Sequence, residues 1–213
     1  MGCGGAVARC TIGGGTAHLV IVTGGEAGPT EHDEPTFRRQ RAGEQATAAA
    51  RLNASHVFLS HPDLAVEANG LLVGELDLQI RDFQPEVIFA PWPNDTHQDH
   101  RAVALAAMSA ARNATQLLFY ATPTSVAFEP TIYSDISDVI ESKIEALHAH
   151  DSQVTQSARV EPDVILANAR VLGARAGCHY AEGFIAYRLL LGKPVTYDTN
   201  TAIADRLAVP NWA

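Results

Sequence analysis

The sequence predicts an α/β protein with a Rossmann-like, mainly parallel sheet and flanking helices. Short apolar segments alternate along the chain with longer segments of helical periodicity. The segment 17–23 is apolar and β-branched almost throughout, which is typical of a strand buried on both faces of a parallel sheet. Polar motifs containing His and Asp directly follow two of these strands, at the sheet edge where α/β proteins bind ligands.

The predicted strands are short runs rich in apolar and β-branched residues, at 17–23, 56–60, 86–90, 116–121, 131–136 and 183–191. The predicted helices show apolar or small residues three or four positions apart, at 6–10, 36–52, 71–83, 100–113, 137–153 and 162–177. No repeat or interdomain linker interrupts them. We therefore expect one domain over residues 1–192, followed by a tail over 193–213.

Composition excludes several classes of protein. The 213 residues are 46% hydrophobic, which is enough apolar material to form a core and excludes a disordered chain. A formal net charge of −9 argues against a nucleic-acid partner, because phosphate binding needs clustered Lys and Arg. No apolar run reaches the roughly 18 residues of a membrane span. The three cysteines form no paired framework, so we expect a reducing, cytoplasmic location.

The strongest local signal is the segment from Asn94 to Arg101, which follows a predicted strand and opens a helix. Here His97 and His100 are three residues apart with Asp99 between them, so both imidazoles can point at one place. Neutral imidazole is a common metal ligand, and a neighbouring carboxylate can fix its tautomer. The alternative is a capped helix start with two polar surface histidines.

Three further groups are candidates for substrate binding, each with a structural alternative. Asp63, in His61-Pro62-Asp63, follows the second predicted strand, where it can also simply stabilise a turn. Tyr180 and Glu182 alternate in an extended segment and so share a face, although edge-strand packing explains them equally. Arg41, near Arg38 and Arg39, can bind an anion bidentately or pair with Glu44 on a helix surface.

Taken in order, these segments resemble the LmbE/PIG-L family of metal-dependent N-deacetylases, which act on N-acetylated amino sugars and their conjugates. The resemblance covers the chain to about residue 190 and rests on the ordered combination of segments. These are GCGGAVAR at 2–9, HLVIVTGGEAG at 18–28, Arg41-xx-Glu44-xxx-Ala48-xxx-Leu52, FLSHPD at 58–63, DxHxDHRA within the segment from Pro91 or Pro93 to Ala102, HAHDSQ at 148–153 and YAEGF at 180–184.

The resemblance implies a role for each matching residue. His100 corresponds to a metal ligand, His97 to the residue that stabilises the oxyanion or acts as an acid, and Asp99 to the aspartate that tunes a histidine. The remaining matches, Arg41, Asp63, Tyr180 and Glu182, correspond to positions near the substrate. The implied cofactor is Zn²⁺ or Fe²⁺, and the implied partner is a small-molecule N-acetylated amino sugar conjugate. A homo-oligomer is compatible with the sequence.

The chain departs from the family at one point. The family's other two metal ligands and its general base lie in a His-Pro-Asp-Asp-Glu motif, which ends a first strand just before the glycine-rich turn. Here the sequence begins at that turn, with Met-Gly-Cys-Gly-Gly. We therefore expect a domain lacking its first strand, either as an N-terminally truncated fragment or as a degenerate homologue. His61-Pro62-Asp63 lies too late in the chain to replace the motif.

The sequence thus predicts a zinc-dependent hydrolase that removes an N-acetyl group from an amino sugar or its conjugate. Because catalytic zinc generally takes three protein ligands, we expect the chain as written to bind metal weakly and to have little activity. The alternative is a non-catalytic sugar- or nucleotide-binding α/β domain that uses the Gly2–Gly5 turn for an anion. The glycine pattern supports this alternative only weakly, because it lacks the GxGxxG spacing.

Overall fold

A computed structural model describes residues 2–27, 34–113, 116–155 and 157–190. The strands are β1 (His18–Thr23), β2 (Ser55–His61), β3 (Ile88–Pro91), β4 (Leu117–Tyr120), β5 (Ile132–Asp135) and β6 (Ala181–Arg188). The helices are α1 (Gly4–Ile12), α2 (Glu34–Arg51), α3 (Gly70–Phe83), α4 (Gln98–Ala110), α5 (Ile140–His148), α6 (Asp151–Val154) and α7 (Pro162–Ala176). Two 3₁₀ turns occupy Ala111–Asn113 and Ala158–Val160.

The strands form two sheets, and the predicted α/β class is confirmed. β1 pairs in parallel with β2, and β3 pairs in parallel with β4. β6 lies antiparallel between β4 and β5, which gives the second sheet the order β3-β4-β6-β5. That sheet is therefore mixed rather than mainly parallel, because the alternation of helices and strands in a sequence does not encode the direction of each strand.

β1 and β3 belong to different sheets. Among the described residues, β1 has β2 as its hydrogen-bonded strand neighbour and β3 has β4. Both strands nevertheless contribute to one core cluster, through Val22 of β1 and Ala90 of β3. The separation of the sheets is compatible with an additional strand between them, and the expectation of an absent first strand stays a prediction.

Two core clusters lie under the helices. The first joins α3 and α4 to β1, β3 and β4, and its fully buried members include Leu72, Ala104 and Leu117. The second joins α1, α5 and α7 to Leu52, which directly follows α2, around Ile136. The two clusters pack the helices against the sheets. The loops that carry the polar motifs occupy the carboxyl ends of β1 to β4.

The predicted boundaries differ from the observed ones mainly within the helices. The helix expected over 137–153 is two helices, α5 and α6, separated at Ala149 and His150. The strand expected over 183–191 starts two residues earlier, at Ala181, and ends at Arg188. The tail predicted over 193–213 lies outside the described residues. Within the described part of the chain, no helix is long and apolar enough to cross a membrane.

The start of α1 is held close to β5 by a glycine. A Cβ on Gly5 would lie 2.8 Å from Cγ2 of Ile136, which is fully buried just after β5. A Cβ on the neighbouring Gly4 would lie 3.7 Å from its nearest neighbour, Cγ of Lys143, at an ordinary contact distance. Of these two glycines at the start of α1, Gly5 is therefore the one that close packing requires.

We expect Gly5→Ala to lower the free energy of unfolding by about 1–3 kcal/mol, because the added methyl group overpacks the contact with Ile136. Gly4→Ala is the matched control and should change stability by less than about 1 kcal/mol, since Ala also has the higher helix propensity. Urea unfolding of both variants measures the difference. Equal stabilities of the two variants would contradict the close approach at Gly5.

Candidate active site

The two histidines of the DxHxDH segment lie together at the start of α4, just beyond the carboxyl end of β3. His97 is the N-cap residue of α4, and its extended backbone (φ −80°, ψ 120°) turns the chain into the helix. The rings of His97 and His100 stack with centroids 4.4 Å apart and planes 20° apart. The two rings therefore lie side by side, and the prediction that both imidazoles serve one site stays a prediction.

Helix capping determines the tautomer of His97. Its Nδ1 accepts the backbone N–H of Asp99 at 3.3 Å, in the manner of a capping side chain. A neutral imidazole that accepts at Nδ1 carries its proton on Nε2. His97 is therefore held as a hydrogen-bond donor through Nε2.

The opposite tautomer is favoured at His100. Its Nδ1 lies 3.3 Å from Oδ2 of Asp95, a carboxylate that can only accept when ionised. The proton therefore resides on Nδ1, and Nε2 keeps its lone pair. Burial lowers the pKa of His100 and outweighs the opposing charge of Asp95, so the ring is neutral at pH 7. A neutral imidazole held by a carboxylate through its other nitrogen is the usual form of a metal-ligating histidine.

Asp95, which orients His100, is itself held by several hydrogen bonds. Its side chain has no exposed surface, and it accepts hydrogen bonds from the hydroxyls of Thr122 and Ser125 at 2.5 and 2.9 Å and from the backbone N–H of His97 at 2.8 Å. Burial alone would raise the pKa of Asp95, but these hydrogen bonds lower it well below its usual range. The sequence analysis did not select Asp95 as a site residue, because its hydroxyl donors lie 27 and 30 residues away.

Asp99 does not contact His97 through its side chain. Its two oxygens accept the backbone N–H groups of Leu64 and Val66, at 2.8 and 3.2 Å, in the loop that follows β2. The role implied by the resemblance, tuning of a histidine, stays a prediction. The observed contacts instead connect the start of α4 to the loop that carries Asp63.

Asp63 joins the carboxyl ends of β1 and β2. Its carboxylate accepts the hydroxyl of Thr23 and the backbone N–H of Ala27, each at 3.2 Å, and its own N–H donates to Glu26 at 3.1 Å. The prediction that Asp63 lies at the same sheet edge as the histidines is consistent with this placement, because Asp99 holds the same loop. Its substrate role stays a prediction.

Arg41 lies next to the loop that follows β1. Its Nη1 donates to Glu44 at 3.2 Å, while its Nε is buried without a hydrogen-bond partner. A Cβ on Gly25, whose φ is +66°, would lie 3.1 Å from that Nε. Glu44 is held in turn by the backbone N–H and hydroxyl of Ser152, at 3.0 and 2.7 Å. Despite its burial, these hydrogen bonds lower the pKa of Glu44, so the carboxylate stays ionised and orients Arg41.

His150 joins this cluster, although the spacing of His148 and His150 gave no reason to select either. Its Nδ1 is buried without a hydrogen-bond partner. Burial, reinforced by the nearby charge of Arg41, lowers the pKa of His150 to about 4. The one sequence signal for this residue is its place in the HAHDSQ segment of the family resemblance.

Tyr180 and Glu182 contact different parts of the structure. Tyr180 packs against the second core cluster, and its backbone N–H donates to the hydroxyl of Ser137 at 3.0 Å. Glu182 is 2% exposed, and its carboxylate accepts the backbone N–H groups of Gly5 and Ala6 and the ammonium of Lys143, at 2.7, 2.8 and 2.7 Å. All of these contacts are structural, and substrate binding by either residue stays a prediction.

The α/β fold of the chain matches the LmbE-like deacetylase fold. Residues 1–111 match the family model PIG-L, described as GlcNAc-PI de-N-acetylase. Because the match spans more than half of the 213 residues, the chain belongs to the PIG-L family. A curated relative, the diacetylchitobiose deacetylase of Thermococcus kodakarensis, is 24% identical over 86% of this chain and 76% of its own length.

Solved structures agree on the fold. The conserved protein TT1542 from Thermus thermophilus superposes with a TM-score of 0.77 at 27% identity, covering 91% of each chain. GalB, the 4-carboxy-2-hydroxymuconate hydratase from Pseudomonas putida KT2440, superposes with a TM-score of 0.78 at 22% identity, covering 90% of this chain and 92% of its own. Since the same fold is found in a hydratase, fold similarity alone does not define the reaction.

We expect Glu182→Ala to lower the free energy of unfolding by about 3 kcal/mol, because it leaves the Lys143 charge buried without a partner. The double variant Lys143→Met/Glu182→Gln removes both charges and should recover most of the loss. Urea unfolding monitored by circular dichroism measures both. If Glu182→Ala keeps full stability but loses sugar binding, the carboxylate serves the substrate instead.

The low pKa of His150 makes stability depend on pH. Its pKa is about 4 in the folded chain and about 6.5 when unfolded, so the unfolded chain binds more protons between these values. Stability should therefore fall as the pH is lowered from about 6.5 to about 4, by up to about 3 kcal/mol from this residue. His150→Gln should flatten that dependence, whereas the exposed His148→Gln should not. Identical pH profiles for the two variants would contradict the burial of His150.

Proposed function

We propose that this protein is a metal-dependent hydrolase that removes an N-acetyl group from a small-molecule amino sugar or its conjugate. The observation that carries the proposal is the stacked pair of His97 and His100, held in opposite tautomers by a backbone N–H and a buried carboxylate. Membership of a family of de-N-acetylases and similarity to a diacetylchitobiose deacetylase support the acetylated sugar as substrate.

His97 is suited to stabilise the oxyanion that forms during hydrolysis. Attack of water on an amide carbonyl places negative charge on the carbonyl oxygen, and a preorganised N–H donor stabilises that charge in the transition state. His97 supplies such a donor at Nε2 without reorganisation, because the N-cap of α4 already holds Nδ1.

The metal site is only partly present in the described residues. His100 offers one ligand at Nε2, oriented by Asp95. Within residues 2–27, 34–113, 116–155 and 157–190, no group of three His, Cys, Asp or Glu side chains could hold a metal ion. Because catalytic zinc generally takes three protein ligands, these residues do not form a complete zinc or iron site, and no step of the reaction is assigned to the metal.

We propose that the other ligands and the general base enter on a strand between β1 and β3. Among the described residues these two strands belong to different sheets, and both contribute to the same core cluster. A strand placed there would end at the same edge as His100, as expected from the family's His-Pro-Asp-Asp-Glu motif. In-frame DNA upstream of Met1 should encode such a strand and motif, and an immediate upstream stop codon would contradict this part of the proposal.

A second candidate is a sugar-binding domain without turnover. The incomplete set of metal ligands in the described residues is the observation that favours it. It predicts binding of an acetylated sugar with no release of acetate in any version of the chain. The two candidates therefore differ in a single measurement, the acetate released from diacetylchitobiose.

We expect added zinc or iron to produce acetate release in a chain extended by the upstream in-frame codons, at a rate at least about 100-fold above that of the 213-residue chain. His100→Ala in the extended chain should return the rate to background, because it removes the metal ligand. His148→Ala is the control and should leave the rate unchanged. Sugar binding without acetate release would support the second candidate, and full activity in His97→Ala would refute the role of that histidine.

A further inference from the structure

Asp99 lies between the two histidines, yet its side chain leaves them and enters the loop after β2. It is 5% exposed, and its oxygens accept the backbone N–H groups of Leu64 and Val66 at 2.8 and 3.2 Å. The adjacent Gln98 donates from its side-chain amide to the carbonyl oxygen of Leu64. Three hydrogen bonds from two successive residues of α4 therefore anchor one short loop segment.

The anchored segment has a backbone conformation that needs support. Leu64 has φ +62°, in the left-handed region that residues with a large side chain rarely adopt. Such a conformation persists only when its surroundings determine it. The carboxylate of Asp99 accepts the N–H groups of Leu64 and Val66, and the side-chain amide of Gln98 donates to the carbonyl oxygen of Leu64. These three hydrogen bonds from α4 hold the backbone of Leu64 in its left-handed conformation.

The same loop is anchored on its other side to the end of β1. Asp63 accepts from Thr23 and Ala27, and Glu26 accepts both the N–H of Asp63 at 3.1 Å and the guanidinium of Arg38 at 2.9 Å. The loop therefore bridges α4, which carries the histidines, and the segment after β1. Its position fixes where Asp63 stands relative to His97 and His100.

We propose that Asp99 is a positioning residue that sets the sugar-binding site by holding the loop 62–66. Each carboxylate oxygen accepts one amide of the loop, and Nδ1 of His97 accepts the backbone N–H of Asp99, which any residue at this position except proline would supply. The link from loop to sugar rests on the proposed function, whereas the anchoring of the loop does not.

The first measurement is hydrogen exchange at the amides of Leu64 and Val66. Asp99→Asn keeps the size of the side chain but removes its charge and one acceptor, so exchange at these amides should accelerate by about 10- to 100-fold. Asp82→Asn, an exposed aspartate of α3, is the control and should leave their exchange unchanged. Gln98→Ala is a milder second variant with an intermediate effect, and it serves if Asp99→Asn fails to fold. Unchanged exchange in both test variants would overturn the anchoring role.

The second measurement separates positioning from chemistry. In the chain extended by the upstream in-frame codons, Asp99→Asn should raise the dissociation constant for diacetylchitobiose, measured by NMR titration, at least about 10-fold, while the affinity for zinc changes by less than about twofold. His100→Ala should show the reverse. Accelerated exchange with unchanged sugar affinity would overturn the positioning role. If the extended chain binds no acetylated sugar, the proposed function fails, and the exchange measurement still decides whether Asp99 anchors the loop.

Discussion

Buried carboxylates that accept hydrogen bonds from distant segments are the interaction on which this structure depends. Asp95 accepts the hydroxyls of Thr122 and Ser125, Asp99 accepts two amides of the loop after β2, and Glu182 accepts two amides at the start of α1. An ionised acceptor strengthens each bond, and burial makes the loss of any partner costly. Loops and helix ends at the carboxyl edge of the sheets are thus connected by charge rather than by apolar packing.

This placement of charge explains how two chemically identical side chains acquire different properties. His97 and His100 are stacked, yet one has Nδ1 against an amide donor and the other against a carboxylate acceptor. The difference originates in the helix start: one ring caps α4, whereas the other, three residues later, faces the hydroxyl-rich turn after β4 through Asp95. The site therefore presents the Nε2–H donor of His97 next to the Nε2 lone pair of His100.

The sequence predicted the elements and the histidine pair well, because both depend on local patterns. Hydrophobic periodicity located every strand and most helices, and the three-residue spacing brought the imidazoles together. The sequence did not reveal which residues that lie far apart along the chain contact each other. Nothing near Asp99 indicates that its side chain contacts Leu64, and nothing near Glu182 indicates that it pairs with Lys143 under α1. The direction of β6 was missed for the same reason, since pairing direction is a tertiary property.

The edges of the two sheets have a consequence for how this chain meets other chains. Among the described residues, β1 and β3 each have one hydrogen-bonded strand neighbour. A strand edge without a partner is a template on which an extended segment can pair. In the described part of the chain, these edges are therefore where a further strand would add to either sheet.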